Sequence, residues 1–311
     1  MRKKWLFVPV FVVIVLGIAF GSLYDLQIAR ALYDGRNGFG VFMAAVGELP
    51  CYAGLGFIGG LLLYLELKDD KVLWRKIIVI AIGVIVTAFG IYYAGKAIIS
   101  RNAYDVEGMW YLGWPISFLL CGLAYSGGFF FARKCDDPHW RRDLLCMIAA
   151  VFVALLLTTL VKKFDARPRY RWLVGETSGS VVPVLGDFHN WWEGANDLRA
   201  TVLGTDAGLA EEFKSFPSGH VTSASVALLL AGCLPRLDSR LAKHDVLLFA
   251  IGFIWAALVA YSRMLIGAHF LSDVSFGALF TTSSFFVFDL ILYPIGKGKA
   301  EGGIAPVNVK N

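Results

Sequence analysis

The sequence predicts an all-α fold: a polytopic membrane helical bundle of about eight transmembrane helices. Three observations carry that expectation. Of 311 residues, 57% are hydrophobic and only 17% are charged, against roughly 25% charged in a soluble domain. The apolar residues gather into runs of about 17–25 residues nearly free of charge, the length a helix needs to cross a bilayer. Clustered Lys and Arg recur on alternate loops, as the positive-inside rule requires. The formal net charge of +5 is therefore read as a topology signal, and nucleic acid is not an expected partner.

Taken in order, Met1-Arg2-Lys3-Lys4 precedes an apolar run from Trp5 to about Leu23. That run exceeds the core of a cleaved signal peptide and ends in only a weak small-residue site, Gly21-Ser22, so it reads as an uncleaved first span. Residues 24–50 are mixed, with Asp25, Arg30, Asp34 and Arg36, and the partly amphipathic Leu26, Ile28, Leu32 pattern predicts a surface helix there. Seven further spans fall near 50–66, 77–96, 112–132, 144–161, 219–235, 246–262 and 270–291. With a cytoplasmic N-terminus, the inside loops carry Lys68, Lys71, Arg75 and Lys76; Arg133, Lys134, Arg141 and Arg142; and Arg236, Arg240 and Lys243; the tail adds Lys297, Lys299 and Lys310. The opposite loop 97–111, with Arg101, Asp105 and Glu107, is roughly balanced.

Residues 163–217 form the longest polar connection, too long for a simple link. Within it, Trp191-Trp192 reads either as an anchor at the lipid headgroups or as part of a lid over a site. The tail after Gly296 is rich in Gly and Lys and is expected to be disordered. The chain thus divides into N-terminal spans (1–143), core helices with the outer loop (144–295) and a flexible tail (296–311), all one integral membrane domain. The five cysteines show no CxxC pair, so neither a metal site nor a disulfide framework is expected.

Three short motifs lie between Lys162 and Asp273, each where an apolar run meets a polar loop. In Ser262-Arg263-x5-His269-x3-Asp273, His269 and Asp273 are four apart and share a helix face. A carboxylate there either satisfies the histidine at a helix end or orients it as a nucleophile, leaving one nitrogen to attack. Arg263 can point a guanidinium at a shared anion. In Pro217-Ser218-Gly219-His220, Ser218 is a good N-cap and Gly219 lets an anion approach the first-turn N–H groups. His220 reads either as an interfacial histidine or as a general acid. The remaining motif, Lys162-Lys163-Phe164-Asp165-Ala166-Arg167-Pro168-Arg169-Tyr170, puts a dense cation cluster on the side where the topology rule expects few. Its lysines and arginines either snorkel at the membrane edge or hold an anionic substrate.

Together the three motifs resemble the type 2 phosphatidic acid phosphatase superfamily, whose pattern is K-x6-R-P, P-S-G-H and S-R-x5-H-x3-D. The second and third match at every fixed position. In the first, Lys162 and Arg169 keep the spacing, Tyr170 stands where Pro is usual, and Arg167, before Pro168, is the alternative arginine. The resemblance implies that His269 attacks phosphorus, that Asp273 orients it and that His220 protonates the leaving group. It also implies that Lys162, Arg169, Arg263, Ser218 and Gly219 hold the phosphoryl oxygens with no metal and no cofactor. Family members usually have six core spans, so two of the first four are expected to be additional.

The resulting expectation is a metal-independent membrane phosphatase acting on lipid phosphate or pyrophosphate monoesters through a phosphohistidine. Its partners would be a phosphorylated lipid and the membrane lipids, and its site would lie on the non-cytoplasmic face of the cell (plasma) membrane. Two alternatives share the same residues: a phosphotransferase with a lipid or sugar acceptor, and a transporter that binds phospholipid without turnover.

Overall fold

The computed structural model describes residues 4–68, 72–100, 109–177 and 183–292. The predicted tail (296–311), Lys71 and most of loop 97–111 lie outside them. Among the described residues, eight helical segments are long and apolar enough to cross a bilayer and no strand is present. Such a chain satisfies its backbone N–H and C=O groups within each helix, as hydrocarbon demands. The protein is a polytopic all-α membrane protein.

The helices are α1 (Phe7–Leu32), α2 (Gly38–Val46), α3 (Leu49–Lys68), α4 (Leu73–Ser100), α5 (Met109–Phe131), α6 (Trp140–Asp165), α7 (Tyr170–Leu173), α8 (Asn196–Thr205), α9 (Gly219–Ala224), α10 (Val226–Leu237), α11 (Asp245–Leu265) and α12 (Leu271–Leu292). Each expected span has its helix. Two limits differ. α1 runs on past Leu23 through Asp25 and Arg30, because Asp25 is buried against a partner charge. The sixth span bends at Ser225, between α9 and α10.

The surface helix expected over 24–50 is not formed as such. Its first part belongs to α1, and the rest is α2, capped by Asn37 Oδ1, which accepts from Phe39 N (3.1 Å) and Gly40 N (3.2 Å). Met43 of α2 is buried with Val259 of α11. A Cβ on Gly47 would come within 3.0 Å of Val259, so α2 packs into the bundle.

Large apolar side chains point outward along the spans, among them Val12 and Leu16 of α1, Ile85 of α4, Leu123 of α5 and Ile254 of α11. In a membrane these face hydrocarbon. Small residues let the helices approach closely. α3 and α5 meet so tightly that a Cβ on Gly56 would lie 2.8 Å from the Cys121 carbonyl. α4 and α5 lean on α3, whereas α1 and α6 both pack on α12. α3–α5 therefore form a flanking group beside the helices that carry the motifs. All five cysteines are free.

The two ends of the bundle differ. At one end Asp136 N donates to Leu237 O (2.9 Å), Arg141 Nη2 to Glu66 Oε2 (2.6 Å), and Arg236 bridges Asp143 and Asp289. This gathers the basic loops that follow α3, α5 and α10. All three motifs meet at the opposite end.

Candidate active site

The described residues of the connection between α6 and α9 form a cap. α6 ends at Ala166, held in the left-handed region (φ 56°). The next residues fold back along the segment before α9: Arg169 N donates to Glu212 O (2.8 Å) and Ser215 N to Arg167 O (3.1 Å). Arg171 grips Glu212 through Nε to Oε2 (2.9 Å) and Nη2 to Oε1 (2.5 Å), the paired geometry in which a guanidinium fits a carboxylate best. The cap has its own small core of Tyr170, Trp172, Leu173, Val202, Leu209, Phe213 and Phe270, closed against Ala29 of α1. The two adjacent tryptophans part company. Trp191 points inward, donating Nε1 to Ser22 Oγ (3.0 Å) and stacking on Phe216 with ring centres 5.8 Å apart. Trp192 is half exposed.

His269 lies in the short turn between α11 and α12, 2% exposed. Its backbone N–H reaches Arg263 O (3.3 Å). Its Nδ1 is 2.5 Å from the carbonyl oxygen of Ser215. A carbonyl only accepts, so Nδ1 carries the proton and Nε2 keeps its lone pair. Burial first, then the charges of Lys162, Arg169 and Arg263, hold the imidazole pKa well below its ordinary value. The ring is therefore neutral near pH 7, as an attacking imidazole must be. The same three cations are thus brought to bear on one histidine.

Asp273 does not hydrogen-bond His269 directly. Its Oδ2 is 3.9 Å from Nδ1, because that oxygen accepts from Ser215 Oγ (2.6 Å) and Phe270 N (2.8 Å) instead. The carboxylate fixes Ser215, and the Ser215 carbonyl fixes the imidazole. Any path from Asp273 to His269 therefore runs through one intermediate residue, Ser215.

The arginine question has a geometric answer. Arg167 is 1% exposed and donates to His189 O (2.7 Å), Ser272 Oγ (2.9 Å), Asp273 Oδ1 (2.6 Å) and Asp25 Oδ2 (3.0 Å). Its guanidinium also sits 4.2 Å over the Phe270 ring. These bonds occupy it inside the protein. Arg169 has its Nη1 3.9 Å from Glu212 Oε1, and its side chain is 14% exposed.

Ser218 caps α9 weakly, its Oγ accepting from Val221 N at 3.5 Å. It is tied to α12 by its own N–H, which donates to Asp273 O (2.9 Å). A Cβ on Gly219 would make ordinary contacts of 3.7 Å with Lys162 Cε and 3.9 Å with Thr158 Cγ2. The first turn of α9 thus faces the lysine with a small gap between them. Lys162 Nζ donates to Lys214 O (2.7 Å). His220 Nε2 meets the Ala44 carbonyl of α2 at 3.3 Å, and its ring centre lies 6.3 Å from that of His269. Among the described residues no cluster of His, Cys, Asp and Glu suits a metal ion.

Every residue singled out from the sequence thus reaches one end of the bundle. Three participants were not foreseen: Asp25, Ser215 and Ser272. Asp25 lies just past the apolar run that ends near Leu23, in a charged segment, so the sequence did not mark it as buried. Ser215 and Ser272 carried no signal, since one acts through its backbone carbonyl and the other is an ordinary serine beside a motif.

Fold and site together define a membrane protein with a neutral, buried histidine whose pKa is lowered by burial and by the charges of three cations. Residues 143–294, from α6 to α12, match the model of the PAP2 superfamily. The resemblance carried by the three motifs is borne out, and the first helices fall outside the match. The chain is also similar to the probable diacylglycerol pyrophosphate phosphatase 1 of Schizosaccharomyces pombe, 26% identical over 172 residues. That match covers 54% of this chain and 59% of the relative, under two thirds of its length. No solved structure matches.

Proposed function

We propose that the protein is a membrane phosphatase that hydrolyses the phosphate or pyrophosphate monoester of a lipid through a phosphohistidine, without a metal ion. The observation that carries the proposal is the state of His269: neutral, protonated at Nδ1 by its bond to Ser215 O, and bearing a lone pair at Nε2 among three cations. In the first half-reaction Nε2 attacks phosphorus, and the bond to the leaving oxygen breaks. Lys162, Arg169 and Arg263 balance the charge on the three equatorial oxygens, the part of phosphoryl transfer where fixed cations contribute most. The first-turn N–H groups of α9 beside Gly219 add to this. His220, its Nε2 held by Ala44 O, donates a proton from Nδ1 to the departing oxygen as an imidazolium. In the second half-reaction the neutral ring takes a proton from the water that attacks the phosphohistidine, and phosphate leaves.

The membrane-like composition of the bundle and the named relative both favour a lipid substrate, with its headgroup at the motif end and its tails in hydrocarbon. The basic loops at the other end favour a non-cytoplasmic site in the cell (plasma) membrane. The test is phosphate release by detergent-purified protein, with EDTA present, from phosphatidic acid, diacylglycerol pyrophosphate and other lipid phosphates. His269→Ala is the control. Release that EDTA spares and the substitution removes, with an acid-labile phosphoenzyme trapped in the wild type, is the expected result. Undiminished release by His269→Ala sinks the mechanism, and phosphate recovered on an acceptor instead of in solution identifies a transferase.

A further inference from the structure

α1 lies outside the family-matched segment, yet it reaches into the site through one residue. Asp25 is 2% exposed. Its Oδ1 accepts from Ser272 N (3.0 Å), and its Oδ2 accepts from Arg167 Nη2 (3.0 Å) and from Ser272 Oγ. One turn earlier, a Cβ on Gly21 would lie 2.6 Å from Ser272 N, so the backbone of α1 presses directly on the start of α12. Only a residue without a side chain allows that approach at position 21.

Two consequences follow from these bonds. Ser272 is in the first turn of α12, where backbone N–H groups lack helical partners. Asp25 supplies a carboxylate to that turn from another helix, a favourable placement for negative charge. Asp273, also in that first turn, is oriented with it. Second, Asp25 and Asp273 hold the two Nη atoms of one guanidinium, at 3.0 Å and 2.6 Å. A guanidinium is planar, so fixing both ends fixes its plane over Phe270, the residue after His269. The bonds then run without a break: Asp25 to Arg167, Arg167 to Asp273, Asp273 to Ser215 Oγ, and Ser215 O to His269 Nδ1. Every side chain in that series is buried.

We propose that Asp25 is a positioning residue for His269, which makes the first membrane helix part of the catalytic unit. Its turnover readout rests on the phosphatase reading above. Asp25 touches no substrate. It acts by holding Arg167 and the start of α12 so that His269 Nε2 keeps its direction. Misplacing a reacting group by about 1 Å costs on the order of a hundredfold in rate.

The experiment compares Asp25→Asn and Ser272→Ala with the wild type in full-length, detergent-purified protein, well below the melting temperature of each. Asp25→Asn keeps the volume and removes the charge. The expected result is a kcat lowered about ten- to a hundredfold, KM within about twofold, and phosphoenzyme formation slowed in proportion to kcat. A residue that only stabilised the fold would lower the melting temperature and leave kcat per folded molecule unchanged, and that result overturns the proposal. If Asp25→Asn does not fold, Ser272→Ala decides, since it removes the hydroxyl that ties both Asp25 and Arg167 to the start of α12 without removing charge. A several-fold loss of kcat supports the proposal and an unchanged kcat overturns it. If the wild type itself releases no phosphate, the phosphatase reading fails separately. The inference is then judged by inorganic phosphate binding, where a tenfold weaker affinity in Asp25→Asn supports it and equal affinity overturns it.

Discussion

Arg167 and Arg169 are two residues apart, and their surroundings differ. Replacing each by Met separates the two roles. Arg167 makes four hydrogen bonds, three of them to buried side chains and two of those to carboxylates. Arg167→Met leaves Asp25 and Asp273 buried without their shared counter-charge. Removing one partner of a buried ion pair costs about 3–5 kcal/mol. Two hydrogen bonds to charged groups, at roughly 1.5–3 kcal/mol each, give the same size. Arg169 is less buried, its side chain 14% exposed, and its pair with Glu212 is longer, at 3.9 Å. Arg169→Met should therefore melt above Arg167→Met. As a donor to the developing phosphoryl charge, however, its loss should lower kcat about 10²–10³-fold. Intrinsic tryptophan fluorescence during heating reads the first effect, and phosphate release reads the second. A wild-type melting curve for Arg167→Met, or a lower one for Arg169→Met than for Arg167→Met, would refute the assignment.

Three further outcomes are expected. His269 has a folded-state pKa far below the unfolded value of about 6.5, so the unfolded chain takes up a proton that the folded chain refuses. Its stabilising contribution is complete above about pH 6.5 and falls as pH drops below it; His269→Gln should flatten that slope in melting temperature against pH, and an unchanged slope would count against a neutral His269. Gly277→Ala would put a Cβ 2.5 Å from Ser218 O, so α12 must move off α9, costing about 1–3 kcal/mol and turnover with it; a variant with wild-type melting and rate would contradict the packing. Cys135 is half-buried outside the spans while the other cysteines are buried, and burial holds its thiol pKa up. An impermeant maleimide should therefore label it slowly, faster at high pH, and only from the cytoplasmic face; labelling from the opposite face would invert the proposed orientation.

The eight spans were legible because a bilayer imposes one length on every charge-free run. Where the limits shifted, a tertiary contact was the cause. Asp25 marks the end of α1 to any hydropathy argument, but Arg167, 142 residues away, makes it an interior residue of that helix. The site was legible for a different reason. His269, Asp273, Arg263, Ser218, Gly219, His220, Lys162 and Arg169 each sit in a local motif whose spacing is read without knowing the fold. What holds those residues in place was not legible. The His269 bond goes to a backbone carbonyl, and a carbonyl has no sequence signature. The position of Trp191 against Phe216, and not at the membrane edge, depends on how the cap folds back on the bundle. Arg167 and Arg169 could be ranked by spacing, but only their acceptors separate them.

The tie between Asp25 and Arg167 also sets a schedule for biogenesis. Asp25 enters the membrane with the first helix, and its partner is synthesised 142 residues later. At about 5–20 residues per second, the carboxylate waits roughly 7–28 s for its guanidinium. It waits longer still for Ser272, 247 residues downstream. An unpaired Asp near the centre of an inserting helix costs about 2.5–3.5 kcal/mol, less toward the ends, and Asp25 lies in the last third of α1. The nascent first helix is therefore least at ease in lipid during the interval before the last helices emerge. Chains stalled or truncated before α6 would release a helix with a bare carboxylate in the bilayer, a mark by which membrane quality control can tell an unfinished copy from a finished one.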